Sequence, residues 1–178
     1  MPRTDSRCIA GLFARQTGRK ETAFGGADCV ETSMETSFEV LNDILTGEHL
    51  AIEQYQAYID ALPASPLRNH LVAILTDHKG HAQRIAYFIQ TNGGHVEEGS
   101  GWRGKVSVWQ TKLKNMRENR PLEMLDELYG EESEGLTRAQ EMTRRYLSAS
   151  EQEMMDAVFA DEEHHLRQLQ RLKEDLLQ

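Results

Sequence analysis

Cysteine is nearly absent from this chain. Cys8 and Cys29 are the only two among 178 residues, both lie near the start, and no C-x-x-C pair occurs. That excludes a disulfide framework and a thiolate zinc site, and it makes a reducing compartment the expectation. Proline is almost as scarce. Beyond Pro2, the others are Pro63, Pro66 and Pro121, and each stands at the end of a helical pattern. No apolar run approaches membrane-spanning length. The apolar stretch from Cys8 to Ala14 is bracketed by arginines and is too short for a secretory leader. Positive charge is in deficit: 20 Lys and Arg against 29 Asp and Glu leave a net charge of −9. An acidic body of this kind argues against a general nucleic-acid binder and attracts cations. Strand-type alternation and internal repeats are missing as well. The expectation is one domain, large enough for a real core, in the cytoplasm and not in a membrane.

What is present is helical periodicity. Residues 1–33 are rich in Gly, Thr, Ser and Arg, show no sustained period and read as a disordered tail; residues 34–178 read as the folded domain. The first helix is expected from Thr36 to Leu62, with Leu41, Ile44, Leu45, Ile52, Tyr55 and Ile59 on one face and a capping-box spacing at Thr36 and Glu39. Ser65 and Pro66 start the second, which carries Leu71, Ile74, Leu75, Ile85 and Ile89 and stops at Asn92-Gly93-Gly94. A long crossover from Gly93 to about Arg120 holds a short amphipathic helix, with Trp102, Val106, Trp109, Leu113 and Met116 on its stripe. The third helix starts near Pro121, with Leu122, Leu125, Leu128, Tyr129, Leu136, Ala139, Met142 and Tyr146 on its face. Ser150 and Glu153 have the spacing of a capping box for the fourth, which runs to about Leu177. Two hairpins joined by one long crossover make an all-α bundle of ferritin-like connectivity.

Each apolar stripe is interrupted near its middle by polar residues. These are Glu48 in the first helix, His78 and His81 in the second, Glu132 in the third, and Glu162 and His165 in the fourth. Residues three apart share a helical face. A carboxylate and an imidazole inside a core stripe are costly to bury without partners. A metal ion is the simplest partner, and Glu-x-x-His on a bundle helix is a recurring metal-binding device. Three carboxylates and three imidazoles, without thiolate, suit Fe, Mn or Zn. Blander readings compete. Glu48 alone could be a surface residue on a misassigned helical face. Glu132 sits in the acidic run Glu131-Glu132-Ser133-Glu134, and such runs are usually solvated. A single inward histidine is more often a satisfied core residue than a ligand, and His78 could be a neighbour of the ligands. His49, His70, His95 and His164 lie off the stripes and read as surface residues.

The segment from Glu48-His49-Leu50-Ala51-Ile52-Glu53-Gln54-Tyr55, through His81-Ala82 and Glu123 to Glu132 and Gly135, to Asp161-Glu162-Glu163-His164-His165, resembles the ferritin-like superfamily, bacterioferritin most closely. The similarity spans about residues 38–175. The resemblance implies a non-haem iron site, with Glu48 and Glu132 as terminal ligands, Glu162 as a bridging carboxylate and His81 and His165 as the imidazoles. Tyr55 would be a redox-active or hydrogen-bonding tyrosine beside it. Three positions depart from the family. His78 stands where its second bridging Glu falls, so a symmetric di-iron centre does not follow; Asp77, one position away, could substitute in part, but its stripe position is poor. Lys79 stands where bacterioferritin has its haem-ligating Met, so no haem is expected. The family's short fifth helix has no counterpart, so a 24-subunit cage is not implied, although a homo-oligomer is. The crossover helix is closer to Dps-type mini-ferritins.

The resulting expectation is a ferroxidase-type protein that binds Fe(II) and oxidises it with O₂ or H₂O₂, for iron storage, detoxification or oxidative-stress protection. Two alternatives accompany it. One is a Dps-like DNA protector using Arg3, Arg7, Arg15, Arg19 and Lys20 against phosphates, although charge clusters of this kind are usually just solvated. The other is a redox-silent, mononuclear, stress-associated bundle.

Overall fold

The computed structural model describes residues 27–97 and 121–178. Four helices account for nearly all of them: α1 (Ala27–Ala61), α2 (Pro66–Thr91), α3 (Pro121–Tyr146) and α4 (Ala149–Leu176). No strand occurs among the described residues. The basic cluster of residues 3–20 and the Trp102 to Met116 stripe lie outside them.

Local chemistry sets most of the helix ends. Ser65 caps α2, its Oγ accepting from the Arg68 N–H at 3.2 Å, and Pro66 fills the first helical position. Arg68 then donates through Nε to the Ile59 carbonyl at 3.1 Å, satisfying an end carbonyl of α1. At the other end of α2, Gly93 takes φ +85° and Gly94 donates to the Ile89 carbonyl at 2.9 Å. Gly94 has a second constraint. A Cβ there would sit 2.8 Å from both Phe38 Cγ and Ile89 Cγ2, so α1 packs where only glycine fits. Asn42 of α1 holds the chain beyond this turn, donating to the His95 carbonyl at 2.9 Å and accepting from the Glu97 N–H at 3.0 Å.

Two expected helix starts move. α1 begins at Ala27, nine residues before Thr36, so Thr36 and Glu39 lie within the helix. α4 is capped by Ser148, whose N–H donates to Glu151 at 2.6 Å; the Ser150–Glu153 spacing lies inside the first turn. The α3–α4 link is therefore only Leu147 and Ser148. Ser37 reaches across from α1 to the same corner, with Tyr146 O at 3.4 Å and Glu151 Oε2 at 3.3 Å. Tyr146, expected on the inner face, is 43% exposed, because α3 has reached the end of the bundle there.

Cross-helix contacts fix the topology. Tyr58 meets Glu127 and Ser37 meets Tyr146, so α1 and α3 run antiparallel. His81 meets Asp161 and Asp77 meets His165, so α2 and α4 do too. Since α1 and α2 form a hairpin, α2 and α3 run in the same direction. The end of α2 and the start of α3 therefore lie at opposite ends of the bundle, roughly 39 Å apart for the 26 residues of α3. This is the expected two-hairpin, one-crossover bundle. Its core is in two parts. One centres on Leu41, Ile44, Ile85, Ile89, Met155 and Val158. The other centres on Tyr55, Ile59, Leu71, Ile74, Leu125 and Leu169. A polar layer separates them. No helix among the described residues is long and apolar enough to cross a membrane.

Candidate metal centre

The polar layer is the set of residues that interrupts the four stripes. α1 supplies Glu48, α2 His78 and His81, α3 Glu132, and α4 Glu162 and His165. None is more than 8% exposed, which rules out a solvated acidic face for Glu132 and a misassigned face for Glu48. The helical period does this work. Glu48 stands one turn from Ile44 and two from Leu41 and Tyr55, all buried, and cannot leave the core without taking them along. Glu131, one position from Glu132, is exposed as expected. His70, His95 and His164 are exposed and His49 is half-buried.

Carboxylates and imidazoles alternate through the layer. His81 Nδ1 lies 3.1 Å from Glu162 Oε1 and 3.7 Å from Glu48 Oε1. His165 Nδ1 lies 3.1 Å from Glu132 Oε1 and 3.9 Å from Glu162 Oε1. His78 stands between these pairs. Its Nδ1 is 2.9 Å from Glu48 Oε2 and 3.3 Å from Glu162 Oε1, and its Nε2 is 3.3 Å from Glu132 Oε1. The donor atoms fall into two overlapping sets, Glu48/His78/His81/Glu162 and His78/Glu132/Glu162/His165. Within each set they lie no more than 4.8 Å apart. Tyr55 donates its hydroxyl to Glu132 Oε2 at 2.9 Å, and its ring centroid is 5.2 Å from that of His78. All seven residues expected at the site are therefore brought together.

Two aspartates complete the layer. Asp161 Oδ2 is 3.2 Å from His81 Nε2, and Asp77 Oδ2 is 3.2 Å from His165 Nε2. His81 and His165 thus each have the outer nitrogen held by a carboxylate from the facing helix, leaving Nδ1 directed at the centre. Such outer contacts fix ring orientation and strengthen a ligand. Sequence reasoning weighed Asp77 only as a replacement for a bridging carboxylate and gave Asp161 no role. The signal was a shared pattern: Asp77-His78-x-x-His81 on α2 and Asp161-Glu162-x-x-His165 on α4. A further contact, Tyr58 to Glu127 at 2.8 Å, lies one helical turn below the layer.

The ionisation of the layer follows from its packing. Burial alone would push the imidazoles towards neutrality. Glu162, Glu48 and Asp161 overcome that for His81 and raise it to about 10. Glu132 and Glu48 likewise hold His78 well above its ordinary value, and Glu132 raises His165. Burial would raise Glu48, but hydrogen bonds and charge from His78 and His81 bring it down to about 2. Glu132 is lowered against the same burial by His165 and His78. Burial and the charge of Glu132 push the Tyr55 hydroxyl well up, so it stays protonated. The layer is a lattice of buried ion pairs, and a cation binding there must displace protons from the imidazoles.

A cavity gives access to the layer. About 620 Å³ in volume, it runs between α1 and α3 and reaches Glu48, Tyr55, His78, Glu132 and Glu162. Gly47 and Gly135 line it with no side chain, Asp43, Glu134 and Arg138 stand at its exposed rim, and Ile44, Leu136, Met142 and Phe159 make its apolar wall.

A family described as Domain of unknown function (DUF2383), within the ferritin-like superfamily, matches residues 36–145. No curated protein and no solved structure matches the chain.

Proposed function

We propose, for a chain that belongs to the DUF2383 family of the ferritin-like superfamily, that it binds transition metal at the buried layer and oxidises Fe(II) with O₂ or H₂O₂. The observation that carries this reading is the pair of overlapping donor sets, drawn from all four helices and buried in the bundle. The donors fit the metal: nitrogen and oxygen without thiolate is the ligand chemistry of Fe, Mn and Zn. The orientation of His81 and His165 by Asp161 and Asp77 is what a metal-ligating histidine requires.

Fe(II) is a substrate in this reading, and each ion gives up one electron to the oxidant. Glu48, His81 and Glu162 hold one position. Glu132, His165 and Glu162 hold the other, and His78 faces both. The cavity between α1 and α3 admits ion and oxidant, with acidic side chains at its rim. Tyr55 keeps Glu132 oriented through its hydroxyl and stands within reach as a proton or electron donor. The biological role in this reading is iron storage or detoxification, or protection against oxidative stress; a homo-oligomer is carried over from the ferritin-like resemblance.

A redox-silent Zn or Mn site is the second reading, and the imidazole at position 78 favours it, because a symmetric carboxylate-bridged pair would place Glu there. Both readings are tested with Glu162→Ala, which removes the carboxylate common to the two donor sets. The proposal expects metal binding and Fe(II) oxidation to be lost together. Unchanged binding and oxidation in this variant would overturn it. Metal bound by the unaltered protein without Fe(III) formation would select the redox-silent reading.

A further inference from the structure

We infer that His78 is a bridging ligand: its two ring nitrogens bind two different divalent ions, as an imidazolate, so that the layer is a dinuclear centre despite having histidine at this position. The inference rests on the metal-binding reading above and says how the ions are joined.

The three histidines of the layer differ in one respect. His81 and His165 each have Nε2 held by an aspartate, Asp161 and Asp77, and offer only Nδ1 to the centre. His78 has no such aspartate. Its Nδ1 faces Glu48, which belongs to one donor set alone, at 2.9 Å, and Glu162, common to both, at 3.3 Å. Its Nε2 faces Glu132, which belongs to the other set alone, at 3.3 Å. That Nε2 is buried and makes no hydrogen bond, although Glu132 Oε1 is 3.3 Å away. A fully buried ring nitrogen without a partner, aimed at a group of ligands, is costly unless something binds it. His78 is also a member of both donor sets.

Both protons of the His78 ring leave to solvent as the two metal–nitrogen bonds form, and no electron moves.

The test uses the full chain with ring-nitrogen-labelled histidine, loaded with cadmium in its spin-half isotope and read by NMR. The expected result is two cadmium ions per chain, with both nitrogens of one histidine coupled to different cadmium ions and His81 and His165 coupled through one nitrogen each. His78→Gln should remove the doubly coupled signals and weaken the second ion at least tenfold, by about 1.4 kcal/mol or more. His78→Glu, able to bridge through two oxygens, should retain two ions. Two ions with His78 coupled through a single nitrogen, or one ion only, would overturn the bridge and leave metal binding standing. No cadmium bound would overturn both.

Discussion

Asp77 on α2 accepts a hydrogen bond from Nε2 of His165 on α4 at 3.2 Å, across 88 residues of sequence. Asp161 does the same in return for His81. Each helix carries a ligand histidine and the aspartate that orients the histidine of the other. Both aspartates are about half exposed, so they can be changed without opening the core.

Asp77→Asn and Asp161→Asn should therefore fold normally and bind metal roughly 10–100-fold more weakly, the usual cost of losing such a contact. Competition against a chromophoric chelator measures this. Affinity within twofold of the parent in both variants would show that the aspartates do not orient ligands.

Glu132 holds His165, His78 and Tyr55 at once. Removing it leaves buried imidazolium charge uncompensated. Glu132→Ala should cost about 3–5 kcal/mol of stability in the presence of a chelator. Urea unfolding reads the difference, and a loss below about 1 kcal/mol would mean that the layer is not the ion-pair lattice described.

The pH dependence of stability under the same chelating conditions has a defined sign. His81 is raised to about 10, so its contribution is complete below its ordinary 6.5 and is lost as pH rises towards 10. Glu48 is lowered to about 2, so its contribution is complete above its ordinary 4.5 and is lost as pH falls towards 2. The melting temperature should peak between about pH 4.5 and 6.5 and decline on both sides. Metal affinity should rise with pH through the alkaline arm, because binding displaces imidazole protons. A melting temperature that keeps rising above pH 7 would contradict the ionisation described.

Gly94→Ala separates fold from site. The new methyl would meet Phe38 and Ile89 at 2.8 Å. The expected loss is about 1–3 kcal/mol, with metal stoichiometry unchanged. Calorimetry and metal analysis on the same sample check both halves.

Much of the bundle and its centre is legible in the chain because the helical period reports which side chains face inward. Glu48, His78, His81, Glu132, Glu162 and His165 interrupt otherwise apolar stripes, and all six are buried together. Helix starts were less legible. Thr36/Glu39 and Ser150/Glu153 have capping-box spacing, but a three-residue spacing recurs by chance in an acidic chain. The true cap of α4, Ser148 with Glu151, is just such a spacing two residues away. Asp77 was judged poorly placed on its own stripe, and it is exposed there; its partner is on α4, and the register between α2 and α4 is not a one-dimensional property. The same holds for Tyr58 and Glu127. The stripe placed His78 inside the bundle but could not say which carboxylate each of its nitrogens faces.

The most direct measurement is an anaerobic titration of the chelator-treated protein with Fe(II), followed by admission of O₂ and then of H₂O₂. Two ferrous ions bound per chain, and Fe(III) absorbance appearing faster than in protein-free buffer, is the expected result. No bound iron, or bound iron oxidised no faster than in buffer, would contradict a ferroxidase centre at this layer.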